Sequence, residues 1–268
     1  MKGKYTTELV FLVLVILLSF VGFSSLYAGE QTGPNGYQAA HIATSLMWLG
    51  LLLGQLIVVH QRRFALHRTV GMSIFAAGPL LIGTLTLLTV HSAAKDAIEG
   101  QADRLVVQNV MVTLEVALLV WLAFLLRRNR NVHGALLMST SLLFMGIALF
   151  FALISYVPGY RSEGPGSLPQ FASAAQTSAI VGGVIGLLFY LRNRRTGWAW
   201  LMTSVFFFLN GFLQMYVDRS EQTAALTQIV ATPGRPLGFA LGVTVFAALL
   251  GMAWRVKPRS PERSATIT

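Results

Sequence analysis

Eight apolar runs of 20 residues or more punctuate the chain, at roughly 8–28, 38–60, 69–91, 106–127, 133–157, 172–192, 197–217 and 236–256. A helix of about 20 residues, rising 1.5 Å per residue, crosses the roughly 30 Å hydrocarbon core of a bilayer. In lipid every backbone N–H and C=O must find its partner within the protein, which leaves helices and closed barrels as spanning structures. The expectation is therefore an all-α, polytopic transmembrane helix bundle of about eight spans. Charged residues make up 11% of the chain and hydrophobic ones 54%, against roughly one quarter charged in a soluble domain. Residues 1–256 read as one integral membrane domain, and 257–268, rich in arginine, serine and proline, as a disordered tail able to touch anionic lipid.

The basic residues set the orientation. Lys2 and Lys4 precede the first run; Arg62, Arg63 and Arg68 follow the second, Arg127, Arg128 and Arg130 the fourth, and Arg192, Arg194 and Arg195 the sixth. Arg255, Lys257, Arg259 and Arg263 close the chain, so 15 of the 20 Lys and Arg residues fall on alternate loops. The positive-inside rule places those loops and both termini in the cytoplasm of a bacterial inner membrane. Only Lys95, Arg104, Arg161, Arg219 and Arg235 fall outside. The net charge of +10 is thus topology, and without a basic arm or helix to track phosphates no nucleic acid is expected as a partner. The first run exceeds the 7–15 residues of a usual signal core, and Leu26 stands where a cleavage site wants a small residue, so it reads as a retained span.

Several chemistries are closed to this chain. The absence of cysteine removes disulfides, thiolate metal sites and iron–sulfur clusters. No Walker A, dinucleotide-binding glycine pattern, HExxH or GxSxG elbow is present. No two histidines have the i, i+4 spacing that puts two metal ligands on one helical face, so no metal site is expected. Gly78-Pro79 marks a kink in the third span, Gly182-Gly183 marks close helix packing, and 218–235 has the makings of a short surface helix.

Glu115 is the most informative residue. It lies near the middle of the fourth span, where an ionised carboxylate costs several kcal/mol. Asn210 in the seventh span comes to a similar depth, within hydrogen-bonding prospect of Glu115. Gln108 precedes Glu115 by a heptad, and Gln214 follows Asn210 by four residues, so each shares its neighbour's face. In the second span His41, Ser45, Trp48 and Gln55 form a third polar stripe. Together these residues make either a site open towards the periplasm, with Glu115 as proton carrier or counter-ion and His41 as its titrating partner, or interhelical hydrogen-bonding glue.

The histidines form two layers: His41 and His91 at the outer ends of spans two and three, and His60, His67 and His133 at inner ends. A six-coordinate haem b needs two imidazoles from different helices, and His41 with His91, and His67 or His60 with His133, meet that count. Over residues 38–157 this layout resembles the di-haem transmembrane cytochromes b, such as the ascorbate-reducible family and its bacterial relatives. The resemblance implies haem b at His41, His91, His67 and His133, and electron transfer with a quinone as one partner. It departs from that family at the fourth span, which supplies no histidine and carries Glu115 instead. The alternative reading of His60, His67 and His133 is contact with lipid headgroups beside the arginines.

A weak repeat accompanies these features. Arg63-Phe-Ala-Leu-His67-Arg-Thr-Val-Gly-Met72-Ser73 parallels Arg130-Asn-Val-His133-Gly-Ala-Leu-Leu-Met138-Ser139 and, loosely, Arg195-Thr-Gly-Trp198-Ala-Trp-Leu-Met202-Thr203. The spacing of about 66 residues is that of one helical hairpin, which suggests parallel hairpin repeats. Segments of this kind, a histidine after a basic loop at the start of an outward helix, also resemble a broad group of uncharacterised bacterial multi-pass membrane proteins over about residues 37–217. That resemblance brings no activity; it implies that His41, His67 and His133 are to be tested together. Three functions stay open: a haem-b redox protein, a proton-coupled small-molecule transporter around Glu115, and a structural or assembly subunit docked to another membrane subunit.

Overall fold

The computed structural model describes residues 5–28, 34–161 and 168–256; the tail expected at 257–268 lies outside them. Ten α-helices occur among the described residues: α1 (Thr6–Ala28), α2 (Gly36–His60), α3 (Phe64–Gly71), α4 (Ile74–Ile98), α5 (Val106–Leu125), α6 (Arg130–Tyr156), α7 (Leu168–Arg192), α8 (Trp198–Arg219), α9 (Thr223–Ala231) and α10 (Arg235–Arg255). Eight are long and apolar enough to cross a bilayer, and no strand occurs among the described residues. The protein is a multi-pass helical membrane protein. An even number of spans brings residue 256 back to the side of residue 5, called here the termini face; the other is the far face.

The third span differs from expectation. Residues 64–71 form the separate short helix α3, and the span runs over Ile74–Ile98 rather than 69–91. Met72 and Ser73 keep right-handed helical dihedrals, but the N–H groups of Met72 and Ser73 bond three residues back instead of four. The local tightening separates α3 from α4 while the backbone remains coiled. His67 on α3 and His133 on α6 are each the fourth residue of their helix, and each N–H bonds to the capping residue, Arg63 or Asn129.

Helices α2, α4, α5 and α6 form a ring, each packed on its two neighbours. Three further spans lie in the outer grooves: α1 between α2 and α6, α8 between α5 and α6, and α10 between α4 and α5, with α7 covering α6 and α8. Burial is greatest in two ring helices, 61% of the apolar stretch of α4 and of α6, and least, 28%, in peripheral α1, α7 and α10. The peripheral spans turn Leu14, Phe20, Leu188, Phe208, Phe212 and Val245 outward, as lipid contact requires.

Glycine sets the closest approaches. A Cβ on Gly242 of α10 would lie 3.0 Å from the Cα of Gly83 and 3.1 Å from the carbonyl oxygen of Ile82, both in α4. Gly238, one turn earlier, packs against Val90. This Gly238-x-x-x-Gly242 pattern is the small-residue seam by which membrane helices touch backbone to backbone. The rings of Phe207 and Phe208 in α8 cover Gly182 and Gly183 of α7, and Phe207 also presses on Gly146 of α6. α4 continues through Pro79, with Gly78 against Phe246 and Leu250 of α10. At the termini face the Arg127 guanidinium donates to the carbonyls of Phe124, Ala253 and Trp254 at 2.8–3.0 Å. One cation thus satisfies the exposed C-terminal ends of α5 and α10.

Candidate functional site

Glu115 is the tenth residue of α5, and Asn210 precedes the end of α8 by nine. At 1.5 Å per residue both lie about 13 Å below the far ends of their helices. The antiparallel packing of α5 and α8 brings them together, and Asn210 Nδ2 donates to Glu115 Oε2 at 3.2 Å. Both side chains are 2% exposed. Glu115 Oε1 and Asn210 Oδ1 are buried acceptors with no hydrogen-bond partner. No cation approaches the carboxyl: among the described residues the one ion pair joins Arg192 to Glu8, at 3.8 Å, on the termini face.

The remaining polar residues divide among separate interfaces. Gln108 is half-buried on α5. Gln214 donates to both oxygens of Asp218 at 3.0 and 3.1 Å, and Asp218 also accepts from Thr223 Oγ1 at 2.8 Å, so Gln214 braces the turn into α9 instead of extending the Glu115 site. Of the stripe on α2, Trp48 faces α6: its Nε1 donates to Thr140 Oγ1 at 3.0 Å in full burial. His41, two turns outward on that face, is 6% exposed; its Nε2 lies 3.5 Å from Ser45 Oγ and its Nδ1 has no partner. No hydrogen bond joins His41 to Glu115 among the described residues. α2 meets α4 and α6, whereas Glu115 points into the α8 groove, and the polar faces expected to converge occupy two interfaces.

His91 also stands apart from His41. Thr44 and Thr84 share a hydrogen bond of 2.6 Å, which sets the register of α2 against α4. Seven residues outward along each helix, the Tyr37 ring packs against His91 with centroids 4.6 Å apart and the planes tilted by 37°. His41 therefore lies about 6 Å deeper than His91. His91 Nε2 is occupied by Asn35 Nδ2 at 3.0 Å.

At the termini face both N4 histidines reach back to the preceding span. His133 Nδ1 donates to the carbonyl of Ala123 in α5 at 2.8 Å, which leaves its Nε2 lone pair free. The Gln55 side chain of α2 donates to His67 Nδ1 and accepts from the Gly71 N–H at 2.8 Å, the amide orientation being assigned from this network. His67 therefore carries its proton on Nε2. Burial holds the His67 imidazole below the ordinary histidine range. His67 and His133 lie within electrostatic reach of one another. His60, at the last position of α2, is exposed.

The partners of His91 escaped sequence reading. Asn35 and Tyr37 open α2, and Arg235 opens α10, with its guanidinium 5.3 Å over the Tyr37 ring. Their one sequence signal was that Lys95 and Arg235 fall off the alternating basic pattern. Nor was the Gly238–Gly242 seam read, although its four-residue spacing is visible. Comparison with protein-family models, with curated proteins and with solved structures finds no match to this chain.

Proposed function

We propose that this protein is a proton-coupled transporter of a small solute and that Glu115 carries the proton. The observation behind this reading is the pair of orphaned acceptors, Glu115 Oε1 and Asn210 Oδ1, flanking the one hydrogen bond between the two side chains. A single proton on Oε1 supplies the missing donor and completes an acid–amide pair. An ionised carboxylate at this depth, with one hydrogen bond and no cation, would cost several kcal/mol. With Asn210 packed against it, Glu115 is read as the neutral acid. Asn210 rides on the α7–α8 hairpin, locked internally by Phe207 and Phe208 over Gly182 and Gly183. Displacement of that hairpin from α5 would withdraw the amide, admit water and release the proton. With the arginine-rich loops in the cytoplasm of a bacterial inner membrane, Glu115 lies in the periplasmic half of the bilayer.

Protein reconstituted in vesicles with a trapped pH dye, under an imposed potential and exposed in turn to sugars, amino acids, organic acids and cations, tests this. One class is expected to drive proton entry in the wild type and none in Glu115→Gln. Absence of solute-driven proton movement in the wild type, or equal movement in the variant, sinks the reading.

A redox reading keeps one observation in its favour. His133 holds its Nδ1 proton on a backbone carbonyl, the second-shell arrangement that turns an imidazole Nε2 towards a metal. The other candidate ligands are engaged differently: His91 Nε2 meets Asn35, His67 carries its proton on Nε2, and Thr44 and Thr84 join α2 to α4 below His91. A dithionite-reduced minus oxidised spectrum separates the readings, since haem b gives sharp bands and a proton site gives none.

A further inference from the structure

At the far face the starts of α2 and α10 flank the outer part of α4, and the hydrogen-bond pattern there determines a histidine tautomer. Asn35 Oδ1 accepts the N–H of Gln38 at 2.9 Å as the cap of α2, and Gln38 Oε1 accepts the N–H of Asn35 at 3.0 Å. The Asn35 amide is oriented by that box, so its Nδ2 is the atom that faces His91 Nε2. An N–H aimed at Nε2 makes that nitrogen the acceptor and puts the proton of neutral His91 on Nδ1. Nδ1 is buried and has no partner.

Beside it stands a second orphan. Arg235 lies over the face of Tyr37 opposite no carboxylate, and its Nε is buried without an acceptor. Arg235 and Lys95 both lie within electrostatic reach of His91. Arg235 opens α10, whose capping residue Gly234 offers no side chain, so the first N–H groups of that helix add to the donors. Of the nearby acids, Asp103 accepts the Leu105 N–H on Oδ1 at 2.8 Å and keeps Oδ2 buried without a partner, and Asp96 lies within reach of Asp103 with Lys95 beside it; neither carboxylate forms an ion pair with Arg235. Among the described residues the junction of α2, α4 and α10 thus collects N–H donors and positive charge, and His91 Nδ1 and Arg235 Nε find no acceptor there. Buried donors in native proteins are paired in the great majority of cases, and an orphaned group calls for a partner.

We infer that the far-face junction of α2, α4 and α10 binds an oxyanion, a carboxylate or phosphate group, held by Arg235 and His91 over Tyr37. Arg235 and His91 are half-buried, and an oxyanion seated between them would supply the acceptor that each orphaned N–H lacks. The planar guanidinium suits bidentate contact with two oxygens. A soluble acid, inorganic phosphate and a lipid headgroup share this chemistry. Thr89 of α4 meets Thr113 of α5 at 3.5 Å, so His91 lies about 6 Å outward of Glu115 along the helices; the two share no hydrogen bond, Glu115 bonding to Asn210 and His91 to Asn35, and the inference does not rest on the proton reading.

The test measures binding, not flux. Delipidated full-length protein in detergent is titrated with potassium succinate and with potassium phosphate at ionic strength matched by potassium chloride, and the unfolding midpoint is followed. Native mass spectrometry of gently purified protein reads retained phospholipid. Succinate or phosphate is expected to raise the midpoint saturably above chloride, with the apparent Kd at least ten-fold weaker in Arg235→Gln; a phospholipid adduct lost in that variant identifies the lipid as the source. His91→Gln, which removes the Nδ1 donor, is the second variant should Arg235→Gln fail to fold, and is expected to weaken the same binding. No effect of either anion above chloride together with no Arg235- or His91-dependent lipid adduct, or unchanged affinity in the folded variants, overturns the inference.

Discussion

Replacing Glu115 with Gln and with Leu reads the charge state of the site as a stability difference. In the proposed acid–amide pair Glu115 accepts from Asn210 Nδ2, as observed at 3.2 Å, and its proton would be donated to Asn210 Oδ1. Glutamine reproduces both contacts, its carbonyl accepting and its amide donating, so Glu115→Gln is expected to change stability by less than about 1 kcal/mol. Leucine removes both bonds, each worth roughly 0.6–1.7 kcal/mol between membrane helices, and strands the buried Asn210 amide; the expected cost is about 2–3 kcal/mol. An ionised Glu115 would reverse the first result. Glu115→Gln would then relieve a buried charge and stabilise the protein by several kcal/mol. Reversible unfolding in bicelles, with the Asn210→Leu single and double variants closing a cycle, supplies the numbers. Stabilisation by Glu115→Gln of more than about 2 kcal/mol would refute the neutral-carboxyl argument. A coupling energy near zero between positions 115 and 210 would refute the pairing itself.

Two further predictions concern packing and pH. Gly242→Leu forces a side chain into the backbone of α4, where even a Cβ would meet Gly83 Cα at 3.0 Å, and is expected to lower stability by about 3 kcal/mol or more; Gly251→Leu on the same helix, with nothing within 4 Å, is expected to leave the unfolding midpoint unchanged. The His67 shift sets the sign of the second. A histidine held below its ordinary value contributes stability that is present above the unfolded pKa of about 6.5 and is lost as pH falls through the lower folded value. Protonation puts an N–H on Nδ1 facing the Gln55 amide, so exchange protection of the Gly71 N–H, corrected for intrinsic rate, is expected to fall below pH 6.5, and Gln55→Ala is expected to show the loss already at pH 8. Protection that is flat from pH 8 to 5 in the wild type would contradict the latch.

The span number was legible because each span must cover the bilayer with apolar side chains, a condition that acts on the sequence locally. Glu115 and Asn210 were legible for the same reason, since a polar group at that depth stands out and depth follows from residue count. The boundary of the third span was not. Residues 69–73 carry no charge and run directly into the apolar segment after them, and only the tightening at Met72 and Ser73 separates α3 from α4. The histidine layers show the limit most clearly. Depth alone pairs His41 with His91, yet the rotation of each helix about its axis, set by which face packs where, turns one towards Ser45 and the other towards Asn35 and Tyr37.

Span count and the depth of mid-span polar residues such as Glu115 and Asn210 are properties of single segments facing a solvent of known thickness, and the sequence by itself determined them. Which segments are neighbours is a property of pairs. Glycine seams such as Gly83 against Gly242, and side chains such as Trp48 bonded to Thr140, decide it. Only the tertiary structure could therefore join Glu115 to Asn210 while leaving His41 in another interface, and bring Arg235 to His91 from 144 residues away along the chain.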